Sequence, residues 1–440
     1  MPVARPMSLS SRVRPALSEW INHLLDAVPI RSRATFVELL CACLISPEGW
    51  VTRAISALQR RSHWTTYYKL IERNQVSVLS LAQALLTLIL KVLPQNVITL
   101  VIDDTLVMRK SLGAPGCAIR HEHSRKANRP KFVTAQCWVT LGVSVCGLCG
   151  TASVLPVLSR LVPDVGNRNK LVMALDILQS LHPALGQQVR VLFDCWFMRA
   201  RLVLPLLAQG CRVIGQARID TALFLQPVPP EKPRRWRKRI YGERLTADKI
   251  DALPAIECEL TLYGKQQRVR LRSTVALARF LKATPVRVVW CQFLDPDQGT
   301  WSRPRLLLAS ETALRAEEIV LLYARRWGIE PLFHNLKRWW GAENLWQQSV
   351  PALELWMQIR SMAWVLAQLL TLVVRDSFPI GQIAPWRSDH ALTAGLIGQW
   401  LRIEFSGLPF RDGYDGKSRK FNFPEARFDP RTAEAAGQSP

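Results

Sequence analysis

Apolar residues recur at three- and four-residue intervals from about Thr35 to Leu93, broken mainly by Pro47, Gly49 and the polar Asn74-Gln75. That period predicts a small helical domain over residues 1–95. The pattern then changes. Val97 to Ile102 (VITLVI) is an unbroken apolar run that reads as a buried strand ending in Asp103-Asp104-Thr105. Residues 109–131 form a basic, breaker-rich loop, and Phe132 to Ser159 shows near alternation interrupted by a Cys-Gly-Leu-Cys-Gly segment, hence two strands and a turn. Asn169 to Leu181 predicts a helix, Gln188 to Phe193 (QVRVLF) a strand ending at Asp194, Met198 to Ala208 a helix and Cys211 to Gly215 a strand. Strands alternating with helices indicate an α/β fold around a mixed sheet, its first part spanning residues 96–216.

Residues 217–305 interrupt the alternation with Pro-rich and basic stretches and with strand-like runs at Glu257 to Tyr263, Gln267 to Arg272 and Val286 to Phe293. They read as a β-rich insertion, followed by helices over 306–406. From about Gly407 the tail is rich in Pro, Gly and charge, and is expected to be disordered or loosely attached.

Charge narrows the choice of partner. Fifty-eight Lys and Arg against 34 Asp and Glu leave +24, which points to nucleic acid, since cationic side chains bind phosphates with release of counterions. The densest run, Lys232 to Arg239 (KPRRWRKR), offers Arg234, Arg235, Arg237, Lys238 and Arg239 to a DNA backbone, against the alternative of a solvated loop. Thr52 to Ile71 mixes Arg53, Arg60, Arg61 and Lys69 with Trp64, Tyr67 and Tyr68, and suits a DNA-contacting helix pair and an ordinary amphipathic hairpin equally. No apolar stretch follows the early arginines Arg5, Arg12 and Arg14, so a cytoplasmic, nucleoid-associated protein is expected. The irregularly spaced cysteines, Cys146 and Cys149 included, read as buried small residues. Phe132 to Ser159 lacks charge and is long enough to span a bilayer, but its glycines, Pro156 and β-branched alternation exclude a span.

Two carboxylates, Asp103 and Asp194, close separate apolar strands, the position at which open α/β sheets place ligand-binding groups. Alone, either is as well explained as a turn or helix cap. Tyr323 to Lys337 (YARRWGIEPLFHNLK) adds a third acid, with Tyr323, Arg326, Glu330 and Lys337 at offsets of 0, 3, 7 and 14 on one helix face. Leu322, Ile329, Leu332, Leu336 and Trp339 occupy another side. Pro331 lacks a backbone donor, so the helix is expected to kink or restart there.

This segment resembles the Tyr-x2-Arg-x3-Glu-x6-Lys signature of DDE transposases from bacterial insertion sequences, notably insertion-sequence family four and family seven-oh-one. Asp103-x-Thr105 and Asp194 resemble the family's other acidic motifs. The resemblance covers about Val97 to Gly341. It implies a ribonuclease-H-like core in which Asp103, Asp194 and Glu330 are catalytic and hold two Mg2+ ions, with Mn2+ as a substitute. Arg326, Lys337 and Tyr323 would hold DNA phosphates, and a homodimer would synapse the terminal inverted repeats before joining them to target DNA. Asp104 is the alternative to Asp103, because adjacent strand residues face opposite ways. Some relatives form hairpin ends and hold a flipped base with an aromatic residue, a role that the resemblance offers here to Trp301 or Trp290. His121 and His123 are a weak metal pair, and Cys195 reads as packing rather than as a nucleophile. The rival functions are a nuclease without strand transfer and a catalytically silent DNA-binding protein.

Overall fold

The computed structural model describes residues 9–122, 130–146, 152–163, 167–181, 188–228, 239–373, 384–387 and 392–424. It divides into two compact units. One comprises residues 89–335, and the other joins residues 1–88 to residues 336–440.

The central unit is a twelve-stranded mixed sheet. Its elements run β1 (Ile98–Met108), β2 (Cys117–His121), β3 (Phe132–Cys146), β4 (Ala152–Leu161), α6 (Asn167–Leu181), β5 (Val189–Phe193), α7 (Ala200–Ala208) and β6 (Arg212–Ala217). Next come β7 (Leu223–Phe224), α8 (Ala247–Asp251), β8 (Ala255–Leu262), β9 (Lys265–Ala278), β10 (Pro285–Asp295), β11 (Thr300–Trp301), β12 (Arg305–Ala309) and α9 (Ala316–Ala324). Along the sheet the order is β2-β3-β1-β5-β6-β12-β10-β9-β7, with β4 on β3, β8 on β9 and β11 on β10. Only β1, β5 and β6 are parallel neighbours; the remaining pairings are antiparallel. The fold is mixed α/β, consistent with a ribonuclease-H-like core. The strands of residues 217–305 belong to this same sheet, because β12 pairs with β6 and β10 with β12.

Two sequence expectations are corrected in this unit, and a third, the break near Pro331, is met. The first acidic strand does not end at Asp103, since β1 continues to Met108 and pairs with β3 as far as Met108 opposite Ala135. That ladder joins residues more than twenty positions apart, which a local apolar run does not encode. Within the predicted basic loop, Cys117–His121 forms β2 on the edge of β3. Tyr323 to Lys337 is not one straight helix. A 3-10 turn, Arg325–Gly328, separates α9 from α10 (Ile329–Arg338). Pro331 cannot donate an N–H and takes the first turn of α10, while a Cβ at Gly328 would come within 2.9 Å of Val154 on β4.

The second unit is helical. It holds α1 (Leu9–Leu25), α2 (Arg33–Ile45), α3 (Val51–Ser56), α4 (Trp64–Glu72) and most of α5 (Val78–Val92), with α11 (Val350–Val373) and α12 (Ala394–Phe405) from the other end of the chain. Every residue from Thr35 to Ile45 is buried. A helix buried on all sides needs cover on all sides, and α11 and α12 supply part of it. Arg360 on α11 is fully buried and donates to the carbonyls of Trp340 (2.7 Å) and Ser46 (2.9 Å). Gly49 and Gly341 touch backbone to backbone; a Cβ on Gly341 would lie 2.0 Å from the Gly49 nitrogen, and Gly341 itself has φ +72°.

The tail corrects another expectation. Residues 407–424 are packed, not loose: Phe410, Phe421 and Phe423 are buried, and Asn22 both donates to the Phe421 carbonyl and accepts from its N–H. Four aromatic rings, those three and Phe405, outweigh the local Pro and Gly content. Trp339, expected on the packed side of α10, is exposed, and Trp340 is the buried one.

Candidate active site

The parallel ladder of β1 and β5 sets the site. Its last pair is Val101 opposite Leu192, and two residues further on each strand comes an aspartate, Asp103 and Asp194. A period of two puts both on one face of the sheet, near enough for the charge of Asp194 to act on Asp103. Asp194 leaves β5 in a turn, where its Oδ1 accepts from the N–H groups of Trp196 (2.9 Å) and Phe197 (3.0 Å). That answers the sequence alternative: Asp194 does shape the turn before α7, with one oxygen.

Asp104 faces the opposite way. Its Oδ2 accepts from Lys170 Nζ at 2.7 Å and from the Cys137 thiol at 3.3 Å. Lys170 also lies 4.9 Å from the centroid of the Trp196 ring. Asp103 and Asp104 are therefore distinguished by partner, Asp194 with Arg326 for the first and Lys170 for the second.

Arg326 projects from the 3-10 turn. Its Nη1 is 2.9 Å from Asp103 Oδ2 and 4.0 Å from Glu330 Oε1. The Arg326 side chain is 15% exposed and that of Glu330 is 53% exposed, so the guanidinium is deep and the glutamate is at the rim. Tyr323 donates its hydroxyl to Gln216 Oε1 at 3.4 Å, and Arg326 stands 5.9 Å from the centre of its ring. Burial pushes the Tyr323 hydroxyl up to about 12.

Burial, reinforced by the charge of Asp194, raises the Asp103 carboxyl well above the usual carboxylate range, with Arg326 opposing. Burial also raises Asp194, against its backbone hydrogen bonds and Arg326. Two neighbouring oxygen-donor carboxylates, one buried and one half-buried, fit a hard divalent cation, which would relieve both desolvation and mutual repulsion. Among the described residues, no group of three or more His, Cys, Asp or Glu forms a cluster that could hold a metal. The structure thus joins Asp103 to Asp194, with Glu330 linked to Asp103 through Arg326.

Other sequence candidates lie elsewhere or outside the described residues. Lys337 is half-buried in the last turn of α10, beyond the boundary of the central unit. Arg239 is exposed; Arg234, Arg235, Arg237, Lys238, His123 and Cys149 lie outside the described residues. Trp290 is buried within β10, whereas Trp301 on β11 carries Arg270 over its ring at 4.2 Å. His121 packs edge-on against Phe132. Cys195 lines a cavity of about 440 Å3 with Arg199, Arg218 and Arg279. Sequence reading missed Lys170 as the partner of Asp104. A lysine in the first turn of a helix gives no local sign of the strand it will meet.

The model of the transposase DDE domain family matches residues 114–366, more than half of the chain, and the chain belongs to that family. The matched stretch contains Asp194, Arg326 and Glu330, and Asp103 lies ahead of it. No curated protein matches the chain. No helix among the described residues is long and apolar enough to cross a membrane.

Proposed function

We propose that this chain is the transposase of an insertion sequence, which binds terminal inverted repeats, cleaves their phosphodiesters by hydrolysis and joins the 3′-hydroxyl ends to target DNA by transesterification. The observation that carries the reading is the placing of buried Asp103 and half-buried Asp194 on neighbouring strands just past the last β1–β5 pair, with Arg326 and Glu330 following from the α9–α10 segment. Asp103, Asp194 and Glu330 would hold divalent cations, Mg2+ with Mn2+ as a substitute. Such ions supply an activated water and charge stabilisation at the attacking and leaving oxygens of an in-line displacement.

The protein's part is placement. Asp194 keeps one oxygen on the Trp196 and Phe197 amides, which fixes the orientation of the other. Asp103 is held by the pleat of β1 and by Arg326. Arg326, Lys337 and Tyr323 hold phosphates flanking the scissile bond, arginine by charge-assisted paired hydrogen bonds. Arg239 and its basic neighbours in sequence extend the path for DNA, in keeping with the net charge of +24. The protein works as a homodimer on two transposon ends, with residues 1–95 as the DNA-binding domain, 96–216 and 306–406 as the catalytic core and 217–305 as its insertion.

The test is incubation with the element's own end sequences and Mg2+, reading cleavage and joining separately. Cleaved ends that never join a target would make the protein a nuclease. Cleavage unchanged by Asp194→Ala or Glu330→Ala would remove the assigned site.

A further inference from the structure

One guanidinium stands where the acids converge. Arg326 directs Nη1 at Asp103 Oδ2, 2.9 Å away, and the same nitrogen is the Arg326 atom nearest Glu330 Oε1, 4.0 Å away. Its charge also acts on Asp194. Two acids therefore lie beside one largely buried cation of the protein's own, whose charge reaches a third. A divalent ion bound by carboxylates sits about 2.0–2.6 Å from each oxygen. An N–H group aimed at the same oxygen from 2.9 Å takes up that lone-pair direction, and its positive charge opposes a second cation nearby.

The backbone under Arg326 is a break between two helices. Arg325–Gly328 is a 3-10 turn between two α-helices, with poorer hydrogen-bond geometry than either. Pro331, in the first turn of α10, supplies no N–H to continue the helical ladder back across the turn.

We infer that Arg326 is a built-in counter-ion that competes with divalent cations for Asp103, holding the acidic pair before an ion binds and withdrawing from Asp103 when one does. The inference rests on Asp103 and Asp194 being cation ligands. It gives Arg326 two sequential partners, a carboxylate first and a DNA phosphate afterwards, so that the phosphate-binding arm is released by ion loading. A purely supporting arginine makes the opposite prediction. If Arg326 only propped Asp103, removing it would loosen a ligand and weaken cation binding; if it competes, removing it strengthens binding.

The experiment uses the full chain without DNA. Mn2+ is titrated calorimetrically into wild type, Arg326→Gln, Arg326→Lys, Asp103→Asn and Asp194→Asn. Arg326→Gln should bind Mn2+ about tenfold tighter or more, because a charge in contact with the site is gone, while Arg326→Lys, which keeps the charge, stays closer to wild type. Without Mn2+ the Arg326→Gln protein should unfold at lower temperature than wild type, and Mn2+ should raise its midpoint by more. Equal or weaker Mn2+ binding by Arg326→Gln would overturn the inference.

Hydrogen exchange on wild type covers the case of a variant that fails to fold. Amides of residues 325–328 should exchange faster with saturating Mn2+; unchanged or slower exchange overturns the inference. Mn2+ affinity unaltered in both Asp103→Asn and Asp194→Asn would mean that the ion binds elsewhere. That result defeats the site reading itself, whatever Arg326→Gln does.

Discussion

Lys170 Nζ lies 2.7 Å from Asp104 Oδ2, tying α6 to the strand that carries Asp103. Both side chains are largely buried, so removing the cation strands a carboxylate in low dielectric. Lys170→Met should cost about 3 kcal/mol, the lower end for breaking a buried pair, measured by urea unfolding. The double variant Lys170→Met with Asp104→Asn should recover part of that loss. A double variant less stable than Lys170→Met would show that the pair is not what stabilises this contact.

The two adjacent aspartates should separate in activity. Asp103→Asn, Asp194→Asn and Glu330→Gln should each lower Mg2+-dependent cleavage by roughly a thousandfold or more, since an ion's stabilisation of the transition state is worth several kcal/mol. Asp104→Asn, with its oxygen turned toward Lys170, should stay within about tenfold of wild type on the same scale. Equal losses at positions 103 and 104 would reverse the assignment.

Arg360 offers a prediction in the helical unit. Its fork serves the carbonyls of Trp340 and Ser46, both 2.9 Å away or less. Arg360→Met should cost about 1–3 kcal/mol for each carbonyl left unpaired, and Arg360→Lys should not restore the loss, because one ammonium cannot copy the planar fork. Thermal and denaturant unfolding report both.

Glu38 should give the stability a specific pH dependence. Its side chain is buried, and burial raises its pKa despite Arg411 Nη1 at 3.0 Å. A raised folded-state pKa means that the folded protein binds the proton more tightly. This contribution to stability is full below the unfolded value of about 4.3 and is lost as pH rises through the folded value. The stability of Glu38→Gln relative to wild type should therefore improve from about pH 4.5 to pH 7. A difference that is flat or falls over that range would contradict the assignment.

Much of the core was legible in the sequence. VITLVI and QVRVLF are buried runs, and their strands appear as β1 and β5 with the aspartates two residues past the last parallel pair. The offsets of Tyr323, Arg326 and Glu330 brought Arg326 to Asp103, through the restarted helix that Pro331 foretold. What was not legible depends on distant partners. β1 runs on past Asp103 because β3 is beside it, Gly328 is required by Val154, and Asp104 is answered by a lysine 66 positions away. The tail misled because composition counts Pro and Gly, whereas burial is decided by where Phe410, Phe421 and Phe423 meet.

The helical unit joins residues 1–88 to residues 336–440, and α2, buried on every side, waits for α11. During synthesis, at about 5–20 residues per second, the ribosome needs on the order of fifteen seconds to a minute to travel from one to the other. For that interval the nascent N-terminal helices expose surface with no permanent cover. A message cut short before α11 should yield a chain prone to aggregation and proteolysis.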